Sequence, residues 1–384
     1  MEKLIIHIGH GKTGSSFLQS FLALNIKNFK NEGIIYNRPK DISMAQKGFI
    51  TSGNGHRFID SSGKLLFKKS LLKQNSFLFS DETFLHRLIK NEEFKNLISD
   101  LGQNLKVIVF TRNLFEHEFS VWGQLVKRHN CLRDLNSYLI NNGPSGTYKQ
   151  LINWIDASKK YNFNLVVRNY SNHKRNLIEI FANDILNKEF KDLKNIKLPP
   201  NNKVNRSMNF TEYEVLRIIN SISKDNKLAD IFTNKLPNKS PSKLFCSDIA
   251  YRKTKSNNLQ NIDYINENIQ IEENIKIEEK SEVVKSEKNK QQEFLSPPEI
   301  KIISEYLKIN NYKKDFKHDL ILTKNEINRL KKIALKIEQG EEVELINALF
   351  IMNIVNRYNY DEGNIFFKNK LDKLKKRIKN NKKI

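Results

Sequence analysis

Cysteine, tryptophan and proline are scarce in this chain of 384 residues, at two, two and eight. Two cysteines, Cys131 and Cys246, cannot build a disulfide framework. That excludes the small stapled scaffolds of oxidising compartments and points to a reducing one. No apolar run approaches the ~18 residues that cross a bilayer, so no membrane-spanning helix is expected. Strand-like residues begin at Lys3, which leads us to expect no signal sequence and a cytoplasmic address. Groups of His, Cys and carboxylate with metal-ligand spacing are also lacking, and no metal is expected. The remaining shortage is of acid: 43 Asp and Glu stand against 66 Lys and Arg, a net charge of +23. Such a field favours polyanions, whether nucleic acid, lipid surface or multiply charged small molecule. Lys, Asn and Ile saturate the whole sequence, however, and no nucleic-acid motif accompanies the charge, so nucleic acid is not an expected partner.

What is present begins within the first twenty residues. Lys3-Leu4-Ile5-Ile6-His7-Ile8-Gly9 reads as an apolar strand running into His10-Gly11-Lys12-Thr13-Gly14-Ser15-Ser16-Phe17-Leu18-Gln19, a turn that opens a helix. This junction suits an anion. The first N–H groups of a helix have no partner within it, and the helix dipole is positive there. Glycine lets the backbone approach a phosphate, and the hydroxyls and Lys12 add donors. A Walker A loop is excluded by spacing, since it needs a glycine where Ile6 stands. Gly9-x-Gly11-x-x-Gly14 fits a dinucleotide fingerprint, but no acidic residue follows near Tyr36 at the end of the second extended segment.

Further along, apolar strands alternate with amphipathic helices. Strands are expected at 3–8, 33–36, 77–80, 105–110 and 164–168, and helices at about 15–29, 91–102, 114–129, 145–160 and 173–186. Residues 40–64 read as irregular. This alternation implies an α/β fold, an open parallel sheet with helices on both faces. Ligands of such sheets bind at the carboxyl ends of the strands, where Lys12, Glu82 and Arg112 fall. After Pro199-Pro200 the character changes. Thr211-x-x-Glu214 offers a capping box. Residues 226–252 read as a connection, 253–293 as a polar insertion that is disordered or weakly helical, and 294–384 as a helical, basic extension. Residues 366–384 carry nine Lys or Arg and one Asp, a tail open to weak contact with a membrane surface or polyanion.

Lys12-Thr13-Gly14-Ser15-Ser16 with Leu18-Gln19 resembles the 5′-phosphosulfate loop of the sulfotransferases that use 3′-phosphoadenosine 5′-phosphosulfate. That family's second signature is an Arg at a strand end and a Ser eight residues on, here Arg112 after Lys106–Thr111 and Ser120 on the following helix. Asn205-Arg206-Ser207 is a weaker echo of bacterial members. The resemblance covers residues 1–225 and implies a P-loop-NTPase-like nucleotide-binding domain. It implies 3′-phosphoadenosine 5′-phosphosulfate as co-substrate and an acceptor hydroxyl or amine, on a glycan in most bacterial relatives, with no metal required.

On that resemblance, Gly11, Lys12, Thr13, Gly14, Ser15 and Ser16 cradle the 5′-phosphate, and Lys12 stabilises the leaving bridging oxygen. Arg112 clamps the 3′-phosphate and Ser120 adds a hydrogen bond to it. Arg112 has another available partner in Glu116, one helical turn on. Three residues compete as general base: Glu82, in a Ser-x-Glu segment; His56, in a glycine-rich loop; and His86, one turn beyond Glu82. His7 is expected to pack in the core and His10 to line the pocket. Two readings from other classes remain. Gly11-Lys12-Thr13 keeps a P-loop nucleotide kinase or hydrolase open, although strand 105–110 ends in Thr-Arg and not in a carboxylate. The other is a catalytically silent binding module acting through the basic C-terminus.

Overall fold

The computed structural model describes residues 3–9, 11–48, 53–187, 189–190, 195–200, 208–220, 229–231, 244–284 and Lys373. The expected strands form as β1 (Leu4–Ile8), β2 (Ile34–Tyr36), β3 (Ser76–Asp81), β4 (Leu105–Thr111) and β5 (Asn164–Asn169). All pair in parallel, in the order β2-β3-β1-β4-β5. The fold is therefore α/β, an open five-stranded parallel sheet. β1 lies between β3 and β4, so the ends bearing Lys12, Glu82 and Arg112 are neighbours. His7 pairs with Ser80 on one side and Ile108 on the other.

Both faces of the sheet are covered. On one, Ile5, Leu78, Ile108 and Phe110 pack against Leu18, Phe21 and Leu22 of α1 (Ser15–Leu24) and Phe181 of α10 (Leu177–Leu186). His7 belongs to this face. It is buried, shares a 2.8 Å hydrogen bond between Nδ1 and Ser80 Oγ, and touches the Phe110 and Phe181 rings. On the other face, an aromatic cluster of Phe58, Phe67, Phe77, Phe79, Phe84 and Phe94 reaches Trp154 of α8 (Gly146–Tyr161). Trp154 Nε1 donates to the carbonyl of Leu85 in α4 (Phe84–Arg87), at 3.0 Å. The interior strand β4 carries a buried lysine, Lys106, at its amino end. Its ammonium donates to the Asp184 carbonyl and to Asn187 Oδ1 at the end of α10, which satisfies orphan acceptors there.

Several expectations need correction. The helix expected over 15–29 breaks at Asn25 into α1 and α2 (Ile26–Asn31). The buried Asn25 amide donates to the Phe21 and Lys197 carbonyls and so competes with the helical ladder. Residues 40–64 hold α3 (Ile42–Gln46) and a 3₁₀ turn at Gly55–Arg57. α5 (Glu92–Leu101) and α6 (Leu114–Arg128) form near their expected bounds, and α7 (Leu135–Asn141) is additional. The capping pair of α11 (Phe210–Asn220) is Asn209 with Glu212: each backbone N–H meets the other side chain, at 2.7 and 2.8 Å. The helix therefore starts one residue before Thr211.

The largest correction concerns residues 253–284 of the expected insertion 253–293, whose remainder lies outside the described residues. Residues 253–266 belong to α12 (Asp248–Asn266), a helix with a continuous buried stripe of Ala250, Tyr251, Thr254, Asn258, Ile262 and Ile265. Thr254 and Asn258 hide the stripe from a hydrophobicity count. Asn258 is polar for a local reason: it accepts from Ser145 N–H at 2.7 Å and donates to the Thr254 carbonyl. Residues 270–279 then cross the ends of β4 and β5 as an ordered strap leading into α13 (Lys280–Val283). Within it Glu273 is buried and bonded by Asn169 N–H, Arg168 and His173.

The chain divides into two compact units, and not at residue 225. Met1–Trp122, Leu135–Arg206 and Phe245–Ser286 form the first, which holds the sheet. Gly123–Asp134, Ser207–Leu244 and Glu287–Ile384 form the second. Within the second, Arg217 donates to the Leu132 carbonyl and Asn220 to that of Val126. His10, Asn205-Arg206-Ser207 and, apart from Lys373, the expected extension at 294–384 lie outside the described residues. Among the described residues, no helix is long and apolar enough to cross a membrane.

Candidate functional site

The site lies in the first unit, at the carboxyl ends of β3, β1 and β4. β1 leaves the sheet through Gly9, whose N–H donates to the Asp81 carbonyl at 3.2 Å. A side chain at residue 9 would meet Glu82 Cα at 2.5 Å, so only glycine lets the two strand ends lie this close. The loop then turns through two left-handed residues, Lys12 at φ +69° and Gly14 at φ +84°. Gly14 has a second constraint, since its missing Cβ would fall 2.7 Å from Leu177 Cδ2. The conformation at Lys12 is unusual for a side-chain-bearing residue and marks a backbone held against its preference.

α1 opens directly from this loop. No side chain caps its amino end, and no acidic residue stands in its first turn. Ser15 is buried there with its hydroxyl unpartnered, Thr13 is buried, and Gly11 and Ser16 are half-buried. One turn on, the buried Gln19 amide is also unpartnered. Orphan donors at an uncapped helix start form a receptive anion site.

Glu82 follows β3 directly. Its side chain is exposed, yet the protein packed around it raises its carboxyl above the usual carboxylate range, against the pull of the Lys12 charge and with Asp81 adding to the rise. Lys12 and Glu82 are thus electrostatic partners. His56 is placed by its neighbour Asn54, which is fully buried against β3. The Asn54 side chain donates to the Leu78 carbonyl at 3.0 Å and accepts from Ser80 N–H at 2.8 Å, extending the sheet edge beyond β2. This brings the His56 loop to Asp81, whose Oδ2 lies against Gly55. Burial, Arg57 and Lys40 lower the His56 pKa, and Asp81 and Asp41 oppose them. His56 Nε2 is buried and unpartnered. His86 stands apart on α4. It is exposed, its pKa is lowered by burial and by Lys90, and no described contact links it to Lys12 or Glu82.

Arg112 joins the two sequence motifs. Its Nη1 donates to the Lys12 carbonyl at 3.0 Å, across 100 residues of sequence. Nε reaches Glu116 Oε2 at 3.3 Å, and the guanidinium lies over the Tyr170 ring, 5.3 Å from its centre. Arg112 therefore makes the ion pair with Glu116 that the sequence offered, and it also holds the Lys12 carbonyl. Ser120 is half-buried two turns along α6 on the Glu116 face and makes no described contact with Arg112. Reading the sequence missed Tyr170, Ser171 and Lys174, which follow β5. Their one signal was position, since they lie just past the carboxyl end of a parallel strand.

Among the described residues, no cluster of three or more His, Cys, Asp or Glu side chains could hold a metal ion. No family model matches the sequence, and no curated protein does. Among solved structures, the crystal structure of a sulfotransferase from Alicyclobacillus acidocaldarius is similar. The identity is 11% and the TM-score 0.30, over 58% of this chain and 93% of that one. At this level of similarity, the chemistry has to be argued from the site itself.

Proposed function

We propose that this chain transfers the sulfuryl group of 3′-phosphoadenosine 5′-phosphosulfate to an acceptor hydroxyl or amine on a carbohydrate or glycan-type substrate. The observation that carries the reading is the hydrogen bond from Arg112 to the carbonyl of the left-handed Lys12. It ties an uncapped helix start to a second cationic centre, as a nucleotide with anions at both 5′ and 3′ positions requires.

The acceptor oxygen or nitrogen attacks sulfur while the bond from sulfur to the bridging phosphate oxygen breaks. The products are the sulfated acceptor and adenosine 3′,5′-bisphosphate. Positioning and charge stabilisation supply most of such catalysis. Lys12 meets the charge that develops on the bridging oxygen. The 5′-phosphate rests on Gly11, Thr13, Gly14, Ser15 and Ser16, and the 3′-phosphate on Arg112 with Ser120. Glu82 takes the acceptor's proton, since a carboxyl raised above the usual carboxylate range by the protein around it is the better base. His56 is the alternative base, because its lowered pKa keeps the ring neutral near pH 7.

Calorimetry on the full chain tests the reading. Adenosine 3′,5′-bisphosphate should bind with a dissociation constant of about 10 μM or tighter, and Arg112→Ala should weaken it about 10-fold or more. Absence of binding by the wild-type chain would overturn the reading. One observation favours a second one. Asp81 ends β3, the strand beside β1, where a carboxylate could hold the Mg²⁺ of a nucleotide kinase. Its Oδ1 is already bonded to Thr83 N–H and Oγ. Magnesium-dependent ATP turnover, absent on the first reading, would decide for the second.

A further inference from the structure

Beyond the end of β4, three donor side chains from two segments converge on one carboxylate. Lys174 Nζ donates to Glu116 Oε1 and Oε2 at 2.7 and 2.8 Å. Ser171 Oγ donates to Oε2 at 2.8 Å, and Arg112 Nε reaches the same oxygen at 3.3 Å. Lys174 and Ser171 belong to the turn of α9 (Tyr170–His173) that follows β5. Burial pushes the Glu116 carboxyl up, but the bonds from Lys174 and Ser171 and the Arg112 charge outweigh it and hold the group below the usual range. It is ionised near pH 7.

The surroundings restrict where a second anion of the donor can go. α6 offers no free amino end. Leu114 N–H donates to the Lys276 carbonyl at 3.0 Å, and Phe115 and Glu116 N–H both donate to the Glu278 carboxylate at 2.9 Å. Side-chain donors must therefore hold the anion. A guanidinium has five N–H groups, and Arg112 uses two of them, one to Lys12 and one to Glu116. The other three have no partner among the described residues. A phosphate dianion matches two cations and brings more acceptor oxygens. Glu116 can leave, because its side chain is 34% exposed on the helix surface.

We propose that Lys174 and Ser171 join Arg112 as ligands of the donor's 3′-phosphate, and that Glu116 is the carboxylate which that phosphate displaces. The proposal rests on the sulfotransferase reading and adds a specificity residue to it. A nucleotide with no 3′-phosphate has nothing to exchange for Glu116 and gains nothing from Lys174.

Calorimetry with two probes, adenosine 3′,5′-bisphosphate and adenosine 5′-monophosphate, tests this on the full chain. Wild type should prefer the bisphosphate about 10-fold or more, the worth of charge-assisted bonds to phosphate. Lys174→Met should remove most of that preference and leave monophosphate affinity within about 2-fold. Lys174 is exposed enough for this variant to fold. Glu116→Gln, which removes the competing charge, should tighten the bisphosphate alone. Unchanged bisphosphate binding in Lys174→Met, or weakened binding in Glu116→Gln, overturns the proposal while leaving the sulfotransferase reading intact. A wild-type chain that binds neither probe overturns both.

Discussion

Lys12 is held at φ +69°, a region that costs a side-chain-bearing residue about 1 kcal/mol or more. Glycine adopts the same conformation freely. Lys12→Gly should therefore preserve or raise stability by up to about 1 kcal/mol in urea unfolding, while sulfuryl transfer falls about 100-fold or more. A variant that is both less stable and fully active would refute this account of the loop. His7 gives the second prediction at this scale. Burial depresses its pKa from 6.5 to about 4. The unfolded chain takes up a proton below pH 6.5 that the folded chain refuses, so stability falls as pH drops from 6.5 toward 4. The loss is about 2 to 3 kcal/mol. His7→Asn, which keeps an amide near Ser80 and cannot titrate, should show a smaller loss between pH 7 and 4.5.

At the scale of elements, the site depends on how loops are pinned to strand ends. Asn54 replaces two backbone partners of β3 with its own side chain and so carries the 53–57 loop to Asp81. Asn54→Ala leaves a buried N–H and a buried carbonyl unpaired, at a cost of about 2 to 4 kcal/mol. The expected result is a lower unfolding midpoint, together with faster hydrogen exchange at residues 53–58. The strap over β4 and β5 works in the same way. Its Glu278 carboxylate closes the amino end of α6, while the amino end of α1 has no side-chain cap. Two helices that leave neighbouring strands thus differ in what they offer an anion.

At the scale of the whole molecule, the chain carries a net charge of +23, and the proposed co-substrate is a multiply charged anion. Long-range attraction of this kind is screened by salt. Raising ionic strength from about 0.05 to 0.5 M should weaken adenosine 3′,5′-bisphosphate binding about 10-fold, and adenosine 5′-monophosphate less. Equal salt dependence for the two nucleotides would show that the field does not distinguish them.

The strands were legible because buried parallel strands are continuous apolar runs, and Leu4–Ile8 and Leu105–Thr111 are unmistakable in composition alone. The positions of Lys12, Glu82 and Arg112 followed from the same pattern, since each stands just past a strand end. α12 was not legible, because its buried stripe includes the polar Thr254 and Asn258, and the polarity of Asn258 is explained only by the partners it meets in the fold. Neither was the setting of Arg112. By itself the sequence determined an α/β sheet, a turn rich in glycine and hydroxyl groups after its first strand, and an arginine at a later strand end. Only the tertiary structure decided that β4 lies beside β1, so that Arg112 meets Lys12, and that Lys174 returns from β5 to share Glu116. Sequence patterns record burial and local geometry, whereas pairings between strands and the convergence of charges depend on contacts across 58 to 100 residues.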